Sequence, residues 1–236
     1  MDVFGPLFSA LNARGVRYVV VGGLATVLHG HARLTADVDL MLDLSPDQAR
    51  KAMETLRALG LRPRAPVDLL DFAVEERRRR WIEDKGMQVF SLFDPALPLR
   101  EVDLFVEHPI DFESLWGESV AMDVGGTAVR VASIPHLIGL KRLAGRPQDL
   151  LDIEALEEIQ RRTAVARTKR DARPGSGWNA SFEARRREQL VLGLRATPAQ
   201  RLAWLESMIE LAHRTGALPR RDRDPWGRRD PGGSSG

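Results

Sequence analysis

The sequence predicts an α/β fold, a short mixed β-sheet flanked by helices, with a C-terminal helical region after it. Three observations predict it. Short runs rich in apolar and β-branched residues occur at 17–21, 36–42 and 101–106. Segments with apolar residues at helical spacing lie between them. From residue 133 onward the character changes to helix.

Taken in order, Phe4, Leu7, Phe8 and Leu11 fall at helical spacing and Gly15 is the stop. Residues 17–21 read as a buried strand, 24–29 as a short helix and 36–42 as a second strand. Ser45-Pro46 caps a helix running to Gly60, with Ala49, Met53, Leu56 and Leu59 on its apolar face. Residues 61–73 carry no clear pattern. Helix follows over 75–84, extended chain over 87–93 and a strand over 101–106, and residues 119–132 form a hairpin turning at Gly125-Gly126. Ser133 and Pro135 start a helix to Ala144 with Leu137, Leu140 and Leu143 as its apolar positions. Gly145-Arg146-Pro147 breaks it, and the next helix covers 148–160.

The rest reads as an appendage. Residues 163–180 have linker composition, and a helical pair fills 181–216. Thr197-Pro198-Ala199-Gln200 is a capping box with proline at the first helical position, and Leu202, Leu205, Ile209 and Ala212 form a stripe ending at Gly216. Residues 217–236, rich in Arg, Asp, Pro and Gly, read as disordered.

Bulk properties narrow the function classes. At 43% hydrophobic and 29% charged residues, the composition is that of an ordinary soluble chain. No apolar run is long enough to span a bilayer, and MDVFGPLF lacks the regions of a signal peptide, so the expected compartment is the cytoplasm with no membrane partner. The absence of cysteine excludes disulfides, thiolate catalysis and cysteine-ligated zinc. Residues 1–160 carry 18 Lys+Arg against 25 Asp+Glu, whereas residues 161–236 carry 17 against 8. A basic C-terminal third can meet a polyanion such as RNA, or simply keep the surface solvated.

The chemistry concentrates in VVVGGLATVLHGHARLTADVDLML. Gly22-Gly23, between a strand and a helix, offers backbone N–H groups and the positive helix end to an anion such as a phosphate. No Gly-Lys-Ser/Thr follows, so this is not a Walker loop, and the spacing does not fit a dinucleotide fingerprint. On a strand, residues two apart share a face, so Asp37 and Asp39 project together while Val38 and Leu40 face away. Two carboxylates side by side at the rim of a buried strand need compensation. REVDLFV places Asp103 on another hydrophobic strand, with Glu101 on its face as the competitor. Three carboxylates on adjacent strands fit two Mg²⁺ ions about 4 Å apart, the arrangement used for in-line phosphoryl transfer. Asp37 and Asp39 would bridge the ions, and Asp103 would ligate one and help deprotonate the attacking hydroxyl.

Strand, Gly-Gly, short helix and Asp-x-Asp on the next strand resemble the DNA polymerase β-like nucleotidyltransferase superfamily over roughly residues 15–160. The family usually has Gly-Ser; Gly23 stands in the serine position, a departure shared with aminoglycoside- and lincosamide-type and some toxin-type members. GHARLTADVDL, with Arg33 and Thr35 ahead of the acids, is similar to the minimal and AbiEii-like toxin branches. The resemblance implies a nucleotidyltransferase core over 1–132 and a helical module over 133–162 completing the active site. In IPHLIGLKRLAGRPQDLLDIEALEEI the family's lysine, Arg-Pro-x-Asp break and following aspartate are matched by Lys141, Arg146, Asp149 and Asp152. The resemblance implies that Lys141 projects a cation toward the triphosphate and that Asp149 holds it, with Asp152 a second anchor. The alternative is an ordinary Lys–Asp pair between packed helices. The nucleotide-binding set is then Gly22, Gly23, Arg33, Thr35, Lys141 and Asp149, and the metal set Asp37, Asp39 and Asp103.

The implied activity is Mg²⁺-dependent transfer of an NMP from an NTP, ATP among them, to an acceptor hydroxyl. The acceptor would be a tRNA or other RNA 3′ end, or a protein, and the chain a toxin with a cognate antitoxin. An antibiotic-modifying nucleotidyltransferase is the alternative enzyme, and a non-catalytic nucleotide-sensing or partner-binding relative the alternative class. Two further features stay open. Arg77–Arg80 beside Trp81 reads as a solvated run or as an approach for RNA with a stacking face. His29 reads as packing and His31 as a phosphate-side contact.

Overall fold

A computed structural model of the chain describes residues 3–97, 99–168 and 182–217, with backbone alone for 166–168 and 182–188. The elements in chain order are α1 (Gly5–Ala13), β1 (Tyr18–Val21), α2 (Gly22–Leu28), β2 (Asp37–Leu42), α3 (Pro46–Ala58), β3 (Arg62–Pro63), α4 (Glu75–Lys85), β4 (Val89–Phe93) and β5 (Glu101–Phe105). There follow α5 (Phe112–Gly117), β6 (Val120–Val124), β7 (Thr127–Val131), α6 (Ile134–Ala144), α7 (Pro147–Thr168), α8 (Phe182–Arg195) and α9 (Pro198–Arg214).

The strands form one seven-stranded mixed sheet in the order β3-β4-β5-β2-β1-β7-β6. β1 is antiparallel to β2, β2 is parallel to β5, and β1 is parallel to β7. All four residues of β1 are buried, as an interior strand covered on both faces requires. In β2 the alternation survives at its start: Val38 and Leu40 are buried while Asp37 and Asp39 are half-buried on the other face. The fold is therefore α/β with a mixed sheet flanked by helices, and the acids lie at the start of β2 and within β5, beside the end of β1.

Three segments add to or correct the sequence expectation. Residues 61–73 contain the short edge strand β3 and a 3-10 turn over Leu69–Ala73, whose start is held by the Asp68 carboxylate accepting from the Leu70 N–H. α5 has Asp111 as its N-cap, accepting from the Ser114 N–H at 2.7 Å. On α6 the buried positions are Leu137, Ile138, Leu140 and Lys141, while Leu143 is 61% exposed. That helix turns the lysine, not Leu143, toward α7, where buried carboxylates receive it.

The C-terminal helices also sit differently from an appendage. The expected linker begins as the last turns of α7, and residues 169–180 and 218–236 lie outside the described residues. The capping box of α9 is present: Thr197 Oγ1 accepts from the Gln200 N–H at 3.2 Å and Gln200 Oε1 from the Thr197 N–H at 2.8 Å. Its stripe is not separate, because Leu202, Leu205 and Ile209 belong to the main hydrophobic core and α9 packs on α2 and β6. Polar ties fix it there. The buried Glu206 carboxylate accepts from the N–H groups of Val3 and Phe4 at 2.8 and 3.1 Å. Arg201 donates to the carbonyls of Leu28, at the end of α2, and of Gly193. Gly193 in turn lies backbone to backbone on Gly30, where a side chain at 193 would collide with the Gly30 carbonyl. Among the described residues no helix is long and apolar enough to cross a membrane.

Candidate functional site

The sheet register assembles the acids. Parallel pairing of β2 with β5 sets Asp39 opposite Asp103 and Asp37 opposite Glu101, and antiparallel pairing with β1 sets Val21 opposite Asp39. Oxygens of Asp37, Asp39 and Asp103 all lie within 4.8 Å of one another. Asp103 is buried and the other two half-buried. Glu101, the competitor, is ion-paired with Arg64 instead. Thr35 Oγ1 donates to Asp37 Oδ1 at 2.8 Å, and the Gly23 N–H reaches Asp39 Oδ2 at 3.4 Å.

Such crowding has an electrostatic consequence. Burial, then the charges of Asp37 and Asp103, push the Asp39 carboxyl up to about 8, against the weaker pull of the Gly23 N–H and Arg146. Three carboxylates at this spacing cannot all be ionised at low cost unless a cation lies among them. An all-oxygen set of this kind fits a hard divalent ion such as Mg²⁺.

The glycine turn is built around the same carboxylate. Gly22 has φ +63, and a Cβ there would run into the Asp39 carboxylate. A Cβ on Gly23 would run into the Thr35 side chain, so Thr35 occupies the space a serine at 23 would need. Gly-Gly in this chain is therefore enforced by two neighbours, both in the loop and strand that bring in the acids.

Beside the acids lies a second cluster, of opposite pairs. Lys141 is buried, its ammonium donating to Asp152 Oδ2 at 2.6 Å and Asp149 Oδ1 at 3.4 Å. Arg33 reaches the same Asp152 oxygen at 2.5 Å, and His31 Nε2 lies 3.6 Å from its other oxygen. Burial alone would raise Asp152, but Arg33, Lys141 and His31 outweigh it and hold it below the ordinary carboxylate range. Arg146 donates through Nε to Asp149 Oδ2 at 2.8 Å, and its backbone N–H also points to that oxygen.

The structure thus brings Gly22, Gly23, Thr35 and the three acids together, and joins Arg33, Lys141 and Asp149 in the adjoining cluster. Lys141 is held by Asp149 and Asp152 as expected, and both acids are buried on α7, so its ammonium lies between the helices. Arg33 also binds Asp152, and His31 Nε2 lies beside the other oxygen of that carboxylate. His29 packs, its Nε2–H donating to the Ala132 carbonyl at 2.8 Å, with burial lowering its pKa. Trp81 offers no stacking face: it is buried and stacked on Phe90 at 5.2 Å, while Arg78 donates to the Phe72 carbonyl at 2.6 Å. Arg146, matched by the resemblance as the arginine of the Arg-Pro-x-Asp break but given no role of its own, is placed by its ties to Asp149 next to the acids.

A scan against protein-family models finds no match, and a search of curated proteins finds none. Among solved structures, the lincosamide antibiotic adenylyltransferase LnuA in its lincomycin-bound crystal form is similar at 15% identity and a TM-score of 0.44, over 65% of this chain and 93% of that one. The antibiotic-resistance factor ANT(2'')-Ia in solution is similar at 15% identity and a TM-score of 0.44, over 91% of this chain and 95% of that one.

Proposed function

We propose that the chain is a metal-dependent nucleotidyltransferase that moves an NMP from an NTP to an acceptor hydroxyl and releases pyrophosphate. One observation carries the reading: Asp37, Asp39 and Asp103 converge in register at the mouth of a glycine turn that begins a helix. Carboxylates alone describe a cation site, and a glycine turn alone describes a bend. Together they describe a place for a metal-bound phosphate chain.

Asp37, Asp39 and Asp103 would hold Mg²⁺, which when bound neutralises charge on the phosphates and lowers the pKa of the attacking hydroxyl. Asp103, buried and opposite Asp39, accepts the acceptor's proton. The acceptor oxygen forms its bond to the α-phosphorus as the bond to the β-phosphate oxygen breaks, so the electron pair leaves with pyrophosphate. Gly22 and Gly23 allow close approach of the phosphates, and Thr35 orients Asp37. The reading assigns residues 1–132 to the catalytic core and 133–162 to a helical module that completes the site.

The acceptor is a hydroxyl at an RNA 3′ end or on a protein, and the enzyme a toxin with a cognate antitoxin. Support for this comes from the GHARLTADVDL resemblance and from the basic excess beyond residue 160. The test is incubation with each α-labelled NTP, Mg²⁺, and total cellular RNA plus protein, with EDTA in parallel. Label is expected on one class of macromolecule and lost with EDTA. Absence of label from every acceptor, together with no Mg²⁺-dependent NTP binding, would leave the acids as structural groups of a partner-binding protein.

A further inference from the structure

The two cations that pair with Asp149 are not equivalent. Lys141 is 5% exposed and held by two acids that are themselves buried, so turning outward would cost it both partners. Arg146 is anchored yet open. Asp149 takes its Nε and Nη2, which leaves other guanidinium donors over in a side chain 45% exposed. Its charge also lies within electrostatic reach of Asp39 and Asp37.

We infer that Arg146 is the residue that grips the β- and γ-phosphates of the substrate, and that Lys141 is a positioning residue that locks α6 to α7 and so aims it. The inference rests on the nucleotidyltransferase reading and names the triphosphate contact within it. A planar fork fixed on one edge by a buried carboxylate is pre-organised, so little rotamer freedom is left to lose when a phosphate arrives. Asp149 sits at the start of α7, receives the Arg146 backbone N–H and side chain together, and thereby sets the direction of the fork. Lys141 supports the arrangement from behind by holding Asp149 and Asp152 on one side of the hairpin.

The experiment measures binding of Mg²⁺ complexes of ATP, GTP, CTP and UTP, of Mg²⁺-tripolyphosphate, and of the matching monophosphates. It uses the full chain and Arg146→Gln, Arg146→Lys and Lys141→Met. Arg146→Gln is expected to weaken the preferred NTP and tripolyphosphate by about 10- to 100-fold while leaving the monophosphate unchanged. Arg146→Lys recovers part of that loss. Lys141→Met lowers the melting temperature and keeps more of the NTP affinity than Arg146→Gln does. Equal NTP binding by wild type and Arg146→Gln overturns the inference, as does an equal loss for monophosphate and triphosphate. A Lys141→Met loss as large as that of Arg146→Gln overturns it as well. If Arg146→Gln fails to fold, Arg146→Lys, which keeps charge and loses the fork, carries the comparison alone. Failure of the wild-type chain to bind any Mg²⁺-NTP defeats the nucleotidyltransferase reading itself, and is read from a separate arm.

Discussion

The strand ends and the α6–α7 hairpin handle charge in opposite ways. Asp37, Asp39 and Asp103 crowd within 4.8 Å, and their own repulsion together with burial raises Asp39. A few residues away in space, Asp149 and Asp152 are almost completely buried, yet Lys141, Arg33 and Arg146 neutralise them. The first region is electrostatically unfinished and gains from a cation added from outside. In the second the carboxylates are neutralised from within and gain only from staying paired. Sequence alone cannot tell these apart, since both are runs of Asp near Arg; exposure and pairing decide which carboxylates are for chemistry and which are for holding helices.

The largest break removes what supports both regions. A chain ending at Arg162 lacks Leu202, Leu205 and Ile209 from the core, the Arg201 bond to the end of α2, and the Glu206 bonds to Val3 and Phe4. It is expected to be insoluble or to lack a cooperative thermal transition. A soluble truncated chain with a wild-type melting curve would restore α8–α9 to the status of an appendage.

Next in size is Asp152→Asn, which strikes the finished region. It leaves Lys141 and Arg33 short of a buried counter-charge and should cost about 3–5 kcal/mol in stability at neutral pH. The pH dependence gives the sign. Because the folded-state pKa of Asp152 is depressed, its contribution is present above the unfolded carboxylate value of about 4 and is lost as pH falls through the lower folded value. Denaturant melts of both proteins should therefore differ most near neutrality and converge in acid. A gap that persists unchanged at low pH would mean the asparagine disturbs packing and not charge.

Asp39→Asn strikes the unfinished region and should separate activity from stability. Loss of one charged ligand is expected to reduce transfer by about 100-fold or more. Without metal, the fold should be at least as stable as wild type. The Asp39 carboxyl is raised from 3.8 to about 8, so the folded state keeps a proton that the unfolded chain has released, and wild-type stability falls as pH rises through that interval. Asparagine removes that slope. Melting curves in EDTA across the same interval check it, and an Asn variant less stable than wild type at pH 8 would refute the repulsion account.

Much of the unfinished region was legible. Asp-x-Asp on an alternating strand, a third Asp on another apolar strand and a glycine pair between strand and helix are local patterns, and period two puts the acids on one face without tertiary knowledge. What sequence could not supply was the parallel β2–β5 register that selects Asp103 over Glu101, since Arg64, which neutralises Glu101, comes from a segment with no readable pattern. The finished region was legible as motif and not as role. Lys141 and Asp149 stand out through the family resemblance, but whether the lysine faces a substrate or a neighbouring helix depends on the rotation of α6. Of its expected apolar positions Leu137 and Leu140 are buried while Leu143 is exposed, and Ile138 and Lys141 complete the buried face. The docking of α9 was hidden because an apolar stripe fixes which face of a helix is buried and not which surface it meets.

The smallest expected effect is also the cleanest discriminator, because Mg²⁺ without nucleotide addresses the unfinished region alone. At a concentration about tenfold above its dissociation constant, a ligand confined to the folded state adds about 1–2 kcal/mol, or roughly 3–6 °C for a chain of this size. Wild type should show that shift, and more of it at pH 8 than at pH 6, since at lower pH the ion must displace the proton that Asp39 holds. Asp39→Asn should show little shift at either pH. Asp152→Asn, whatever it loses in absolute stability, should shift by the same increment as wild type, because its carboxylate belongs to the pairs that need no ion. A Mg²⁺ shift that disappears in Asp152→Asn as well would erase the distinction, and would mean that the helix hairpin and the strand ends respond as one charged cluster.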